Sequence, residues 1–460
     1  MAALLQLVRG NDNLTTGSTF NLLDYTNGFN VAYGGWLPTV SEGTNPDLVS
    51  ETITLRVRPP QNTALPVDNV AVGIQALDDR LRQAGEYFDG EAELYGVWLQ
   101  ARNDGETNTR QALIRRGRTA PQSSLFSVAG KRGVIPEYIL ALERFPWWEA
   151  LSSVTGQVNG VNCLGGMGLL PVSASGDTKA RICFLSVQGM SLRSSTAELD
   201  DIWIGFRTDH HGARANLKTV WDLGNASVTM GTDTARTSDG TAYGGYKAQC
   251  SFATTASMAA RTTASLGGYT SNYEDQRGEY TVLLRAKVGS STCCYARLLS
   301  GYDSGSAYDY RDRVKIESTS WKLYDMGTVT IPPFRFYYPG TPQSGFAMRV
   351  QVERTGGTTL DLDCLVLIPR SEGFVYTGNN AVRNDRNMRV ICSPAGHTMG
   401  LCFTYPDVRP IVVSQSRFAL PPGACSVVVA GQESGQHNLT DTVNVAVSFY
   451  NRWRTLRGAE

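Results

Sequence analysis

The chain has 460 residues, room for about three domains of ordinary size, and its 42 Lys and Arg balance its 42 Asp and Glu. A charged fraction of 18% with no net charge excludes a generally basic nucleic-acid binder, and 42% hydrophobic residues exclude wholesale disorder. With 47 Gly and 19 Pro, the chain is expected to be mainly β, with many turns and few helices.

Residues 1–150 read as a small α+β unit. Ile53, Leu55 and Val57 alternate with Thr52, Thr54 and Arg56, which predicts a strand wet on one face. The pair Pro59-Pro60 ends it. Val70, Ile74, Leu77, Leu81, Ala84 and Phe88 fall on one helical stripe, so a helix is predicted over 68–88 with Asp68 as its cap. That stripe should pack on a sheet built from 51–57, 95–101, 111–115 and 138–144.

Residues 151–370 read as a β-sandwich of the jelly-roll kind. Strands are predicted over 280–288, 320–326, 346–353 and 359–368, and the Thr/Ser/Ala/Gly-rich stretch 232–272 is expected to hold short strands between long loops. In 359–368, simple alternation puts Leu360, Leu362, Cys364, Val366 and Ile368 on a core face, with Asp361 and Asp363 on a solvated one. Residues 371–460 read as a separate C-terminal β unit, with strands over 388–392, 400–403, 410–416, 425–430 and 442–449 and a basic, aromatic stub at 450–454.

Familiar catalytic patterns are missing from the sequence. The nine cysteines begin at Cys163, are odd in number and lack zinc spacing, so they are expected to be reduced and mostly buried. Four histidines, His210, His211, His397 and His437, form no HExxH pattern; 209–211 reads as a polar loop. The string 431–435 has the wrong spacing for a nucleophile elbow, and Gly130-Lys131 is followed by Arg132 rather than the Ser or Thr of a phosphate loop. No apolar stretch approaches the ~18 residues of a membrane span, and the start of the chain has no export leader. No cofactor or metal is expected.

Two groups of residues stand out as candidate contacts. Tyr308, Asp309, Tyr310 and Trp321 combine rings with a carboxylate, suited to stacking a sugar and holding its hydroxyls. A pair of carboxylates among Asp303, Asp309 and Asp312 is the enzymatic version of that idea, since glycoside hydrolysis needs two placed by the fold. Trp147, Trp148, Arg452 and Trp453 read as interface residues, packing between domains or between subunits.

The order of segments in 1–150 resembles the N-terminal domain of minor tail proteins of tailed bacteriophages, of the distal-tail type. Asn21-Leu22-Leu23-Asp24-Tyr25, Glu51-Thr52-Ile53-Thr54-Leu55, the helix, Val97-Trp98-Leu99-Gln100, residues 106–112 and 140–149 carry the resemblance. Residues 278–286 and 360–369 are similar to the galectin-like or carbohydrate-module-like jelly rolls inserted in such proteins. The resemblance implies a virion tail component made in the host cytoplasm, forming a ring of copies, commonly a hexamer, that touches tube and baseplate or tip proteins. It also implies a possible host-surface glycan ligand. The alternative is a carbohydrate-binding module of a receptor-recognition protein, without catalysis.

Overall fold

A computed structural model describes residues 2–10, 19–39, 48–58, 70–89, 95–121, 137–193, 197–208, 218–252, 256–265, 276–290, 293–302, 308–332, 346–354, 358–378, 382–383, 386–393, 398–404, 407–411, 413–416, 419–433 and 436–456. Asp68, Pro59-Pro60, Gly130-Lys131, His210, His211, Asp303 and His397 lie outside the described residues. The fold is mainly β, with several antiparallel sheets. No described helix is long and apolar enough to cross a membrane.

The N-terminal unit follows the periodicity closely. Strand Val49–Val57 buries Ile53, Leu55 and Val57 and pairs with Glu137–Arg144, which pairs with Arg110–Pro121; Val97–Arg102 and Leu4–Arg9 continue the sheet. Helix Val70–Asp89 lays Leu77, Leu81 and Ala84 on that sheet in the unit's core. Glu51 shares the inward face with Ile53, and it is buried because Arg144 meets it there at 2.5 Å. Trp36 Nε1 and the Thr39 amide also donate to the Glu51 carboxylate.

The rest of the chain forms four stacked layers. The first is the continuation of the N-terminal sheet: Trp148–Ala150 pairs with both Arg110–Pro121 and Thr442–Trp453, and Thr178–Ser191 and Asn387–Cys392 follow. In the second layer, Cys425–Gln432 lies between Leu164–Leu169 and Asp201–Thr208, and Phe374–Thr377 comes next. The third runs Thr234–Ser238, Tyr246–Phe252, Thr358–Pro369, Gly278–Val288 and Lys322–Ile331. The fourth contains Ala256–Ser265, Phe346–Arg354, Cys294–Tyr302 and Tyr308–Tyr310.

Each gap between layers is an apolar core. Val187, Val445, Ile204 and Val429 fill the first gap; Trp203, Val428, Leu283 and Val366 the second; Leu284, Leu365, Leu298 and Val350 the third. Central strands of the two middle layers are therefore buried on both faces, as Thr358–Pro369 is over Leu360 to Pro369.

This arrangement corrects the expected division at 151, 370 and 371. Residues 371–456 make no separate unit: their strands share sheets and a core with residues 154–208. Strands Asp201–Thr208 and Phe374–Thr377 pair directly, with Gly205 opposite Phe374, so the third and fourth layers are an insertion into one hairpin. The stub at 450–454 mostly continues the strand Thr442–Trp453. The segment 410–416, read as one strand, is two, Asp407–Ile411 and Val413–Ser416, in different sheets.

The alternation read for 359–368 is also corrected. Cys364 pairs with Arg285 and Leu362 with Ala286, so Asp363 is an extra residue, a β-bulge. The bulge switches the phase: Leu360, Leu362, Leu365 and Leu367 face the fourth layer, whereas Cys364, Val366 and Ile368 face the second. Neither aspartate is solvated. Asp361 receives Lys247 Nζ at 2.7 Å and Gln249 Nε2 at 3.0 Å, and Asp363 is wholly buried against Arg285.

Candidate functional site

Three constellations gather the chemistry of the described residues. The first joins the N-terminal unit to the layers. Glu149 accepts from Arg181 through both carboxylate oxygens, at 2.9 and 3.0 Å, and from Arg452 Nε at 2.7 Å. Burial works to raise the Glu149 pKa, but the two guanidiniums overcome it and hold the group at about 2. Trp148 is fully buried, edge-on to Trp36 and beneath the Arg144 guanidinium. Arg110 lies 4.1 Å from the Trp453 ring and donates to the Thr455 carbonyl at 3.0 Å. Trp148, Arg452 and Trp453 thus meet within one chain at this joint, and Trp147 is half-buried beside it.

The second constellation sits where the insertion docks on the second layer. Arg285 pairs with Asp363, its Nε donates to His437 Nδ1 at 3.1 Å, and His437 Nε2 lies 3.3 Å from the Cys163 carbonyl. Because Nδ1 accepts, the ring is the neutral tautomer with its proton on Nε2. Burial and Arg285 push the His437 pKa down to about 3, and burial raises Asp363 to about 6. Both shifts arise from placing polar groups in a gap between sheets, and the groups hydrogen-bond one another there.

Trp321 belongs to this second group, which corrects its reading as a sugar platform. It is 7% exposed, its Nε1 donates to Thr241 Oγ1 at 2.9 Å, and the cations of Arg285 and Lys287 lie 4.7 and 4.2 Å from its ring. Both the apolar faces and the polar edge a sugar would need are taken inside the protein.

The third constellation is on the outer face of the fourth layer. Tyr308 and Tyr310 are two apart on an edge strand and share a face. In register across the sheet run Tyr310, Leu299, Arg349 and Thr263, and beside them Tyr308, Gly301, Ala347 and Ser265. Arg297, opposite Gln351, completes the patch. Gly301 has no side chain opposite Tyr308, and the Arg349 guanidinium reaches to 4.0 Å from that ring; Arg297 lies 4.7 Å from Tyr310. Asp309 is exposed but pairs with Ser300, which places it on the opposite face from the tyrosines. Of the four residues read as sugar contacts, the structure brings only Tyr308 and Tyr310 together.

Sequence reasoning missed Arg297 and Arg349, and a signal for them existed. Tyr295, Arg297 and Leu299 alternate with Ala296, Leu298 and Ser300, and Arg349 and Gln351 alternate with Met348, Val350 and Val352. That period-two pattern marks the outward positions; the pairing that puts them beside Tyr308 is not local. Cysteine chemistry is absent from these patches. None of the nine cysteines is in a disulfide and eight are buried, with burial raising the Cys163, Cys250 and Cys425 thiols far from reactivity. No group of His, Cys, Asp and Glu suited to a metal occurs among the described residues.

No family model matches the sequence, and no curated protein matches it. Among solved structures, a carbohydrate-binding module in complex with β-1,4-galactotriose is similar at 13% identity over 31% of this chain and 87% of its own, with a TM-score of 0.21. The xylan-binding domain from Paenibacillus barcinonensis aligns at 11% identity over 39% of this chain and 99% of its own, TM-score 0.21. A chain of the phage P2 baseplate in its activated conformation with calcium aligns at 9% identity over 79% of this chain and 98% of its own, TM-score 0.18. At these TM-scores none of the likenesses bears on function.

Proposed function

We propose that this protein is a structural component of a bacteriophage tail, building a ring or hub where tube meets tip and carrying the layered sheets outward. The observation that supports this reading is the joint at Glu149. There a backbone-paired strand runs from the N-terminal unit into the layers, and one buried carboxylate clamps Arg181 and Arg452 across it. A connection made of main-chain pairing resists bending better than a flexible linker, which suits a part that transmits force between neighbours. Tyr33 and Leu37 stand fully exposed on the N-terminal unit and offer apolar contact to an adjoining copy. The partners under this reading are copies of the same chain, a hexamer by resemblance, and tube and baseplate proteins; the location is the virion tail.

Negative-stain imaging of the purified protein, alone and mixed with tail-tube protein, tests the reading. Closed rings are expected, and Tyr33→Ala with Leu37→Asp should dissolve them into monomers. A monomer at high concentration that never joins tail partners would overturn it.

A second reading, a carbohydrate-binding module serving host attachment, is favoured by one observation: the paired rings of Tyr308 and Tyr310 on an outward sheet face. Neither reading assigns a catalytic residue.

A further inference from the structure

Among the described residues, the outer face of the fourth layer holds two guanidiniums that no carboxylate pairs with. Arg313 pairs with Glu353 at 3.0 Å, but Arg297 and Arg349 have no carboxylate partner among the described residues. Arg297 Nε donates to the neutral Gln351 amide at 2.7 Å. Two guanidiniums, each set against a tyrosine ring, therefore form a strip that no carboxylate among the described residues pairs with.

Unused hydrogen-bonding capacity lies in the same strip. Tyr308 Oη and Arg349 Nε are shielded from solvent and have no hydrogen-bond partner. Tyr310 supplies the remaining requirement. It is 58% exposed with one ring face against Arg297, and the remaining ring surface is open to an apolar partner.

We propose that this face binds an acidic glycan, with Tyr310 stacking on a sugar ring and Arg297 and Arg349 pairing with acidic groups along the polymer. The inference rests on the second reading above and narrows it to anionic chains. A guanidinium fork matches a carboxylate or a phosphodiester equally well, so the shared chemistry is a negatively charged, hydroxyl-rich polymer. Single-stranded nucleic acid also combines rings with phosphates, but it calls for a longer basic track than two arginines on a neutral chain.

Affinity electrophoresis and calorimetry of the full-length protein test this with four probes: polygalacturonate, a phosphodiester-linked galactose polymer, neutral galactan and oligothymidine. Retention by at least one acidic glycan is expected, weakening as salt rises from about 0.05 to 0.5 M. The probe that is retained identifies carboxylate or phosphodiester as the source of charge. Tyr310→Ala, Arg297→Gln and Arg349→Gln should each weaken binding about tenfold with unchanged melting temperature. If Arg349→Gln does not fold, the two more exposed substitutions decide the matter. Retention by galactan alone overturns the acidic assignment and leaves the binding-module reading standing. No retention by any probe overturns both, a preference for oligothymidine overturns the glycan assignment, and wild-type binding by all three variants moves the site elsewhere.

Discussion

Glu149, with two arginines on one buried carboxylate, ties the stability of the joint to pH in a direction that can be worked out. Its folded pKa of about 2 lies below the ordinary 4.5, so the stability it contributes is complete above about pH 4.5 and is lost as the pH falls toward 2. A depression of that size corresponds to about 3 kcal/mol. Glu149→Gln removes the carboxylate shared by the buried Arg181 and the partly exposed Arg452 and should cost about 3 kcal/mol in urea denaturation. His437 acts at higher pH. Its folded value of about 3 lies below the unfolded 6.5, so the unfolded chain takes up the proton first and stability declines as the pH drops from 6.5. Asp363 opposes it: with a folded value of about 6 against 3.8 unfolded, it favours the folded state increasingly as pH falls through that interval. In His437→Gln, acidification from pH 6 to 4.5 should therefore stabilise the protein; a continued decline in that window would refute the assignment.

At the scale of the element, the strand Thr358–Pro369 depends on its one bulged residue. Asp363 lets leucines on both sides of the bulge face one core while Cys364, Val366 and Ile368 face another, and it supplies the carboxylate that Arg285 needs. Removing only one member of a buried pair is the costly change. Asp363→Ala should lose about 3 to 5 kcal/mol, and adding Arg285→Met should restore much of that loss, since the stranded cation goes too. The measurement is a double-mutant cycle in denaturant. Strictly additive losses would mean that the pair is not coupled. The N-terminal helix makes a contrasting case: its buried stripe of Leu77, Leu81 and Ala84 comes from local spacing, with no non-local pair required to predict it.

For the whole molecule, the decisive feature is that the third and fourth layers enter and leave between two paired strands. Thr208 and Gly373 flank a hairpin whose strands are already adjacent, so cutting out the insertion and closing the gap with a short Gly/Ser linker should leave the first two layers folded. The cut surface would be apolar, exposing Trp203, Phe374, Val428 and Ala430, which now face the insertion. The shortened protein should keep a cooperative unfolding transition yet self-associate on size exclusion, and Val428→Asp should restore the monomer. A shortened chain that is unfolded would show that the docked insertion is needed for the base to form.

Local periodicity was enough to establish the mainly β class, the amphipathic helix and most strand positions, because alternation and helical spacing are written within a few residues of one another. Composition, not alternation, singled out Tyr308 and Tyr310, within a stretch read as a loop, and the division expected near 150 took in Trp147 and Trp148. Partnership was beyond the reach of either. Thr178–Ser191 pairs with Thr442–Trp453 across more than half the chain, so nothing local separates a C-terminal unit from the returning half of a sandwich. A single extra residue at Asp363 reverses every face after it and is itself a buried counter-ion, while Asp361, before the bulge, is held out of solvent by Lys247 and Gln249. Burial on both faces came from stacking one sheet on another, which took Trp321 out of solvent, set His437 against Arg285 and brought Arg297 and Arg349 to the tyrosines. Those outcomes depend on which distant segments meet, and only the folded chain decides that.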